Sequence, residues 1–263
     1  MFEPRWAAPA HVGSAFSGRA GGISLAPWNR LNLADHVGDD TLAVAHNRRI
    51  FARTMDTAPV WLQQVHGARV VRIGQADVGS ASPGVGRSPY PSPNPCLMAD
   101  AAWTSEPGVA CTVLVADCLP VLFALRDGSA VAAAHAGWRG LAAGVLDATL
   151  LALQQGMGAE PADVVTWLGP CIGPLQFEVG VDVLQAFGAD ALANPRFVSR
   201  LRRTGEQRWL ADLAGLAHDR LRQAGVLHIA SAQRCTVSEP SSFFSFRRDG
   251  VTGRMAAAVW CRN

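Results

Sequence analysis

The chain has 263 residues and a mass of 27.8 kDa, with 49% hydrophobic and 17% charged residues. This length suits one large domain, and this composition excludes wholesale disorder. The formal net charge of +2 is too small to indicate a nucleic-acid-binding surface. All 23 lysine-or-arginine positions are arginine, which excludes a Schiff-base lysine and a Walker-type phosphate loop. Any bound anion must therefore be met by arginine, histidine, backbone N–H groups or a metal.

The cysteine and hydropathy patterns favour a cytoplasmic location. The 6 cysteines include no C-x-x-C pair, so they match neither a zinc ribbon nor a disulfide scaffold. The start of the chain shows no basic segment followed by an apolar one, so no signal peptide is expected. The most apolar stretch, residues 109–125, is interrupted by Asp117 and Pro120, which predicts buried strands rather than a membrane span. We therefore expect neither a membrane nor a nucleic acid as a partner, and the oligomeric state stays open.

Sequence periodicity predicts a mixture of helices and strands, beginning with a helix at 41–55 whose N-cap is Asp40 or Thr41. In chain order, the prediction continues with strands at 60–66 and 69–73, a Gly-, Pro- and Ser-rich surface loop at 79–95, and strands at 99–104, 109–117, 120–125 and 130–137. The remainder consists of a helix at 138–155 ended by Gly156, a strand at 163–169, helices near 181–187 and at 209–223, and strands at 226–230 and 254–260. Because several consecutive strands lack intervening helices, we expect an α+β sandwich, a single domain over 1–263 with mixed β-sheets flanked by helices.

Three segments place a potential ligand side chain at the end of an apolar strand, where a rigid sheet can aim it at one point. These side chains are His66, Cys118 and His135. Two imidazoles and one thiolate suit zinc, and three protein ligands leave a fourth position for water or substrate. The spacing alone does not establish a metal site, because a cysteine beside an apolar run or a single histidine is more often structural.

Without lysine, arginines are the candidates for binding a phosphate group. Arg48 lies on the predicted helix and is a candidate for gripping phosphate; the alternative is that it simply lies on the solvated face of that helix. The glycine-rich segment 16–24, which contains Arg19, resembles an anion-binding loop, although a turn or linker is more common. Residues 243–250 place phenylalanines beside arginines such as Arg247, which permits base stacking or simple burial of the aromatic rings.

Short motifs occur in a fixed order along nearly the whole chain. They are 21–24 (GGIS), 31–33 (LNL), 36–40 (HVGDD), 47–48 (NR), 64–67 (QVHG), 116–122 (ADCLPVL), 135–140 (HAGWRG), 169–173 (GPCIG), 177–179 (FEV), 243–250 (FFSFRRDG) and 252–256 (TGRMA). As an ordered set they resemble the YfiH/PgeF family, also called laccase-domain or polyphenol-oxidase-like proteins.

The resemblance implies a single-domain α+β sandwich with a zinc site formed by His66, Cys118 and His135. It also implies a purine nucleoside phosphorylase, acting on purine nucleosides and phosphate, that deaminates adenosine and phosphorolyses methylthioadenosine. Two positions depart from the family pattern, because Phe177 and Phe246 stand where tyrosine is expected.

The hypothesis assigns roles to further side chains. The catalytic residues are predicted to be His66, Cys118, His135 and Asp117, and the substrate-binding residues Arg48, Arg19, Glu178 and Arg247. Arg48 stands where the family's substrate- or phosphate-binding arginine is expected, and Arg19 is its candidate partner in a bidentate grip. Asp117 or Glu178 would move protons.

Three alternatives use the same residues differently. Cys118 and His135 would suit a cysteine hydrolase acting on an amide such as a peptidoglycan precursor, because a thiolate beside an imidazole is also a nucleophile. A copper-dependent polyphenol oxidase is less favoured, since a multicopper set needs on the order of ten imidazoles. The chain has 7 histidines in all. The last alternative is a binding protein without catalysis.

Overall fold

Strands and helices alternate irregularly in the computed structural model, which describes residues 1–78, 97–188 and 193–262. The strands are β1 (Val12–Phe16), β2 (Ala58–Trp61), β3 (Val70–Arg72), β4 (Ala101–Thr104), β5 (Val109–Val115), β6 (Leu119–Leu125), β7 (Val131–Ala136), β8 (Val164–Leu168), β9 (Glu178–Val179), β10 (Phe197–Leu201), β11 (Gln207–Ala211), β12 (His228–Ser231) and β13 (Met255–Cys261). The α-helices are α1 (Thr41–Met55), α2 (Trp138–Ala142), α3 (Val145–Met157), α4 (Val181–Ala186), α5 (Leu213–Gln223) and α6 (Phe246–Asp249). The loop predicted at 79–95 lies outside the described residues.

The described strands form three sheets with mixed strand directions. The largest has the order β12-β8-β6-β7-β4-β3, the second β1-β13-β5-β2, and the smallest β10-β11-β9. Most neighbours are antiparallel, whereas β2 pairs with β5, β3 with β4, and β12 with β8 in parallel. The predicted α+β class with mixed sheets flanked by helices is confirmed. None of the described helices is long and apolar enough to cross a membrane.

The core is organised in layers on both faces of the six-stranded sheet. Along β6, Val121 and Phe123 pack into the core that α3 and α5 complete, whereas Leu122 and Ala124 face the core shared with the four-stranded sheet. This alternation follows from the period of two residues in a strand. The sheets therefore pack face to face, and the ends of their strands are held in fixed positions.

Helix α1 covers the outer face of the four-stranded sheet, as its pattern predicts. The side chain of Asp40 caps the helix by accepting a hydrogen bond from the N–H of Ala43 at 2.8 Å. The buried residues of α1 include Phe51 and Met55, which belong to the core beside β5 and β13. The helix spans Thr41–Met55, so the prediction of residues 41–55 is confirmed.

The prediction of a single helix at 138–155 is wrong in one respect, because the structure has two helices in this region. Gly144 separates α2 from α3 and adopts a φ of 92°, which is strained for any residue with a side chain. The second helix ends at Gly158, beyond the predicted Gly156, again with a positive φ. The break turns the chain between the strand end that carries His135 and the helix that covers the sheet.

Two other predicted elements are shorter than expected. The strand predicted at 60–66 ends at Trp61, and the side-chain amide of Gln64 then exchanges two hydrogen bonds with the backbone of Leu114, at 2.9 and 2.7 Å. The helix predicted at 209–223 starts at Leu213 because Asp212 caps it, and the preceding residues form β11. Strands β1, β9, β10 and β11 were not predicted.

We predict that Leu122→Ala lowers the free energy of unfolding by about 2–5 kcal/mol, because it leaves a cavity between two packed sheets. Leu122 is 0% exposed, whereas Leu42 on α1 is 71% exposed. Leu42→Ala is therefore the matched control, with an expected change of less than about 0.5 kcal/mol. Urea unfolding measures both changes, and equal losses for the two variants would contradict the layered core.

Candidate metal centre and substrate cavity

The structure brings together the three side chains predicted as metal ligands. His66 lies in the loop after β2, Cys118 in the turn between β5 and β6, and His135 near the end of β7. Their ligand atoms all lie within 4.8 Å of one another, and the two imidazole rings meet edge to face. His135 is buried, Cys118 half-buried and His66 exposed, so the cluster is anchored in the sheet and open on one side.

Two of the turns that carry ligands have unusual backbone conformations. His66 has a φ of 60° and Asp117, beside Cys118, a φ of 93°. Such conformations persist only where surrounding contacts hold them, and they cluster at functional sites. Gly137 allows the third segment to approach closely, because a Cβ there would lie 2.9 Å from the Cys118 sulfur and 3.2 Å from a carbon of the His66 ring.

A buried carboxylate, that of Asp100, connects two of the candidate ligands. It accepts hydrogen bonds from the N–H groups of Val65, His66 and Gly67 at 3.2, 2.9 and 2.7 Å. It also meets Nδ1 of His135 at 2.8 Å. Burial raises the pKa of Asp100, but these hydrogen bonds outweigh it and hold the pKa below the usual value. An ionised carboxylate only accepts, so Nδ1 of His135 carries a proton, and Nε2 is the ring nitrogen that would bind a metal in exchange for its own proton.

The charges within the cluster suit a metal ligand set. Burial raises the pKa of Cys118, yet the adjacent His135 charge and hydrogen bonds from His135 and His66 lower it to about 6. Burial likewise lowers the pKa of His135, but Cys118 and Asp100 raise it to about 9. At neutral pH the sulfur is therefore a thiolate, which is the form that binds metals. Two imidazoles and one thiolate converging on an open side fit the ligand set of a catalytic zinc site.

The cluster opens into a cavity of about 450 Å³. This volume lies in the range of small-molecule sites, which is roughly 300–1,000 Å³. Apolar side chains form much of the wall: Leu62, Leu114, Trp138, Ile172, Phe177, Leu213 and Phe246. Polar side chains also line it: His36, Gln64, Asp117, Arg139, Arg247 and Arg254. The cavity therefore combines aromatic faces with three arginines beside the candidate metal centre.

Arg254 is a cavity residue that was not predicted. Its NH1 group donates to the carbonyl oxygens of Thr252 and Gly253 at 2.9 and 3.1 Å. Among the described residues, no carboxylate lies within ion-pair distance of its guanidinium. Burial lowers the pKa of Arg254, while the charges of Cys118 and Asp117 raise it. The sequence does carry a signal for this residue. Arg254 directly precedes the apolar strand β13, and in a chain without lysine each such arginine is a candidate for binding an anion.

Two predicted residues, Asp117 and Arg247, line the cavity and contact each other. The carboxylate of Asp117 accepts from the hydroxyl of Thr236 at 2.5 Å and from the backbone N–H of Arg247 at 2.7 Å. The guanidinium of Arg247 donates to the carbonyl oxygen of Glu178 and lies 5.5 Å from the ring of Phe177. Both oxygens of Asp117 thus have protein donors, and the carboxylate holds the turn beside Cys118.

The other predicted substrate-binding residues do not line this cavity. Glu178 directs its carboxylate at Arg202, with which it forms an ion pair. Hydrogen bonds and charge from Arg202 outweigh desolvation and lower the pKa of that carboxyl. Arg48 pairs with Asp35 at 3.1 Å and stacks on a tryptophan ring. Arg19 donates to two backbone carbonyl groups and stacks on a phenylalanine ring.

Comparison with known proteins places this geometry in a family. Residues 13–262 match the family described as "Multi-copper polyphenol oxidoreductase laccase". A purine nucleoside phosphorylase of Pseudomonas aeruginosa is 44% identical over 261 residues, covering 99% of this chain and 98% of the relative. The purine nucleoside phosphorylase YfiH of Escherichia coli is 44% identical over 263 residues, with the same coverage. The chain belongs to the YfiH/PgeF family.

Solved structures of this family share the fold. Neisseria meningitidis protein NMB0706 superposes with a TM-score of 0.86 at 41% identity, covering 100% of this chain and 99% of that one. YlmD from Geobacillus stearothermophilus superposes with a TM-score of 0.82 at 32% identity, covering 97% and 93%. The arrangement of sheets described above is therefore the arrangement of the YfiH/PgeF family.

We predict that Asp100→Asn weakens the binding of added Zn²⁺ at the candidate site about 10–100-fold, because the amide no longer fixes the His135 ring and the His66 loop. Asp127 in the exposed turn at Ser129 provides the control Asp127→Asn, which should leave zinc affinity unchanged. Competition with a chromophoric chelator measures the affinity, and thermal unfolding monitors the fold of both variants. A folded Asp100→Asn protein with unaltered zinc affinity would remove Asp100 from this role.

Proposed function

We propose that this chain is a zinc-dependent purine nucleoside phosphorylase whose catalytic domain spans 1–263. The observation that carries the proposal is the convergence of His66, Cys118 and His135 beside a cavity that also contains Arg254, which has no carboxylate partner among the residues described. Relatives 44% identical over the whole chain bear the name purine nucleoside phosphorylase. A cytoplasmic location agrees with the free thiols of the described cysteines.

The proposed phosphate site consists of Arg254 and Arg247, which both line the cavity. Within the part of the chain that the structure describes, the side-chain hydrogen bonds of Arg254 use Nη1, so Nε and Nη2 are available for an anion. Arg247 lines the same cavity, and the two guanidinium groups lie over the rings of Phe246 and Phe177. Arginine suits phosphate because its planar donors bind two oxygens at once. Arg48, with Arg19, stays a second candidate, with Asp35 occupying part of its guanidinium.

The aromatic wall suits the purine. Trp138, Phe177 and Phe246 line the cavity and offer flat faces to a base. Stacking needs the ring and not a phenolic hydroxyl, so phenylalanine at 177 and 246 is compatible with this role. A base held there brings the ribose of the nucleoside between the arginines and the His–Cys–His cluster.

Phosphorolysis then proceeds by displacement at the ribose. A phosphate oxygen forms a bond to C1′ while the bond from C1′ to the purine nitrogen breaks, and the electron pair leaves with the purine. Positive charge develops on the ribose, as in glycoside cleavage. Arg254 and Arg247 position the phosphate, and Asp117 keeps the backbone of Arg247 in place. Glu178 contributes through its carbonyl oxygen, which holds the Arg247 side chain.

Zinc fits the donor set better than copper, and His66, Cys118 and His135 would hold it. When bound, zinc supplies a Lewis acid that stabilises negative charge and activates water. We extend the proposal to adenosine deamination, in which water replaces the amino group, and to phosphorolysis of methylthioadenosine. Both substrates present the same purine ring to the aromatic wall, so one cavity serves all three reactions.

We predict that Cys118→Ala abolishes zinc binding and lowers inosine phosphorolysis more than about 100-fold, since even an outer-shell change costs about 10–100-fold. Cys261→Ala changes a buried cysteine outside the cavity and should retain both properties. Product analysis with adenosine, with and without phosphate, separates phosphorolysis from deamination.

Two results would contradict this assignment. Full turnover of Cys118→Ala with zinc retained would remove the cluster from the reaction. A metal-free protein that is active and inactivated by iodoacetamide would instead favour the cysteine hydrolase, which the low pKa of Cys118 beside His135 also permits.

We predict that Arg254→Gln raises the KM for phosphate about 10–100-fold, because a charge-assisted hydrogen bond is worth roughly 1.5–3 kcal/mol. Arg53→Gln, at an exposed position of α1, is the control and should leave this KM unchanged. Arg48→Ala, measured alongside, tests the second candidate. A normal phosphate KM in Arg254→Gln together with a raised one in Arg48→Ala would move the phosphate site to Arg48.

A further inference from the structure

A second cavity, of about 460 Å³, lies next to the candidate active site and shares Ile172 with it. Two cysteines, Cys171 and Cys235, line this second cavity. They are partners in an isolated parallel β-bridge, and both thiols are free. Bridge partners on neighbouring strands have Cα atoms about 4.8 Å apart and side chains on the same face. That separation lies within the range of about 4.4–6.8 Å that a disulfide spans.

The two thiols have different surroundings. Cys235 is half-buried, and its sulfur accepts the N–H of Gly173 at 3.2 Å. Partial burial raises the pKa of Cys235, but hydrogen bonds from Ser238, Gly173 and Val237 outweigh it and lower the pKa. Cys171 is 4% exposed, and burial raises the pKa of its thiol. An accessible sulfur with hydrogen-bond donors beside a second, protonated thiol is the arrangement of a reactive cysteine and its resolving partner.

The approach of the two segments leaves little room between Gly173 and Cys235. A Cβ on Gly173 would lie 3.1 Å from both Cβ and Sγ of Cys235. Glycine at 173 therefore lets the backbone N–H reach the sulfur directly. The sulfur is held in place by the backbone of the loop that also carries Cys171.

We propose that Cys235 is an oxidation site, at which its sulfur reduces a hydroperoxide and Cys171 then closes a reversible disulfide. In the first step the Cys235 thiolate bonds to one peroxide oxygen as the O–O bond breaks. The other oxygen takes up a proton and leaves as an alcohol or as water. In the second step the Cys171 sulfur displaces hydroxide from the resulting sulfenic acid, and its proton leaves with that hydroxide as water. Two thiols are thereby oxidised by two electrons and one hydroperoxide is reduced.

The pair is connected to the candidate metal centre through Asp117. The hydroxyl of Thr236, the residue after Cys235, donates to the Asp117 carboxylate at 2.5 Å. The N–H of Ile172, the residue after Cys171, donates to the Asp117 carbonyl oxygen at 2.9 Å. Closing the disulfide pulls on Ile172 and Thr236, which both donate hydrogen bonds to Asp117, and thereby on the turn that carries Cys118.

The test treats the zinc-saturated full-length protein with hydrogen peroxide and maps its peptides without reduction. We expect a linked peptide pair containing Cys171 and Cys235, with a mass lower by about 2 Da that dithiothreitol restores, because a disulfide removes two hydrogen atoms. Cys171→Ser should instead accumulate a sulfenic acid at Cys235 that dimedone labels. Hydrogen exchange of the segment around Asp117 should be faster in the oxidised wild-type protein.

The variant Cys261→Ser is the matched control, because it changes a buried cysteine elsewhere and should form the same linked pair. Cys235→Ser should form neither the disulfide nor the dimedone adduct. Oxidation confined to Cys118, or an absence of dimedone labelling at Cys235 in a folded Cys171→Ser protein, would overturn the proposal. Unchanged hydrogen exchange around Asp117 after disulfide formation would overturn the connection to the metal centre.

Discussion

The candidate site depends on one buried charge. The carboxylate oxygen Oδ1 of Asp100 accepts from both the backbone N–H of His66 and Nδ1 of His135, so it fixes two ligands relative to each other. A carboxylate inside a protein is stable only when donors surround it, and here three backbone N–H groups and an imidazole do so. The ligands are thus arranged by protein contacts alone, before any metal contributes. A loop and a strand that are distant in the sequence become one rigid unit.

The sequence predicts well those elements whose causes are local. The capping carboxylate and apolar spacing of α1 lie within one segment, and the apolar runs of β5 to β7 are continuous. The break at Gly144 is harder to predict, because a glycine inside a helical pattern is often tolerated. Strand β11 pairs with β10 on one side and with β9 on the other, so the existence of these strands depends on partners outside each segment. Apolar periodicity over residues 209–223 predicted a helix that starts too early for the same reason.

The residues of the candidate site also differ in whether local sequence or tertiary contacts determine their roles. His66, Cys118 and His135 could be selected because their residue types and strand-end positions both indicate metal ligands. Asp100 could not, since its role arises from the pairing of β4 with β7, which brings its carbonyl oxygen within 2.7 Å of the His135 N–H. For an arginine, what matters is which carboxylates the fold places nearby. Arg48 has Asp35 at 3.1 Å, whereas Arg254 has a thiolate and no ion-pair partner among the described residues.

Asp117 shows how far the position of one ligand depends on tertiary contacts. Its φ of 93° costs of order 1–3 kcal/mol for a residue with a side chain. This conformation is held by donors from three segments, which supply the hydroxyl of Thr236 and the N–H groups of Ile172 and Arg247. Ile172 lines both cavities, and Thr236 directly follows Cys235, so the turn that carries Cys118 is in contact with the segments of the cysteine pair. The candidate metal centre and the cysteine pair therefore share Asp117 as a common structural contact, so the proposed connection between them needs no larger conformational change.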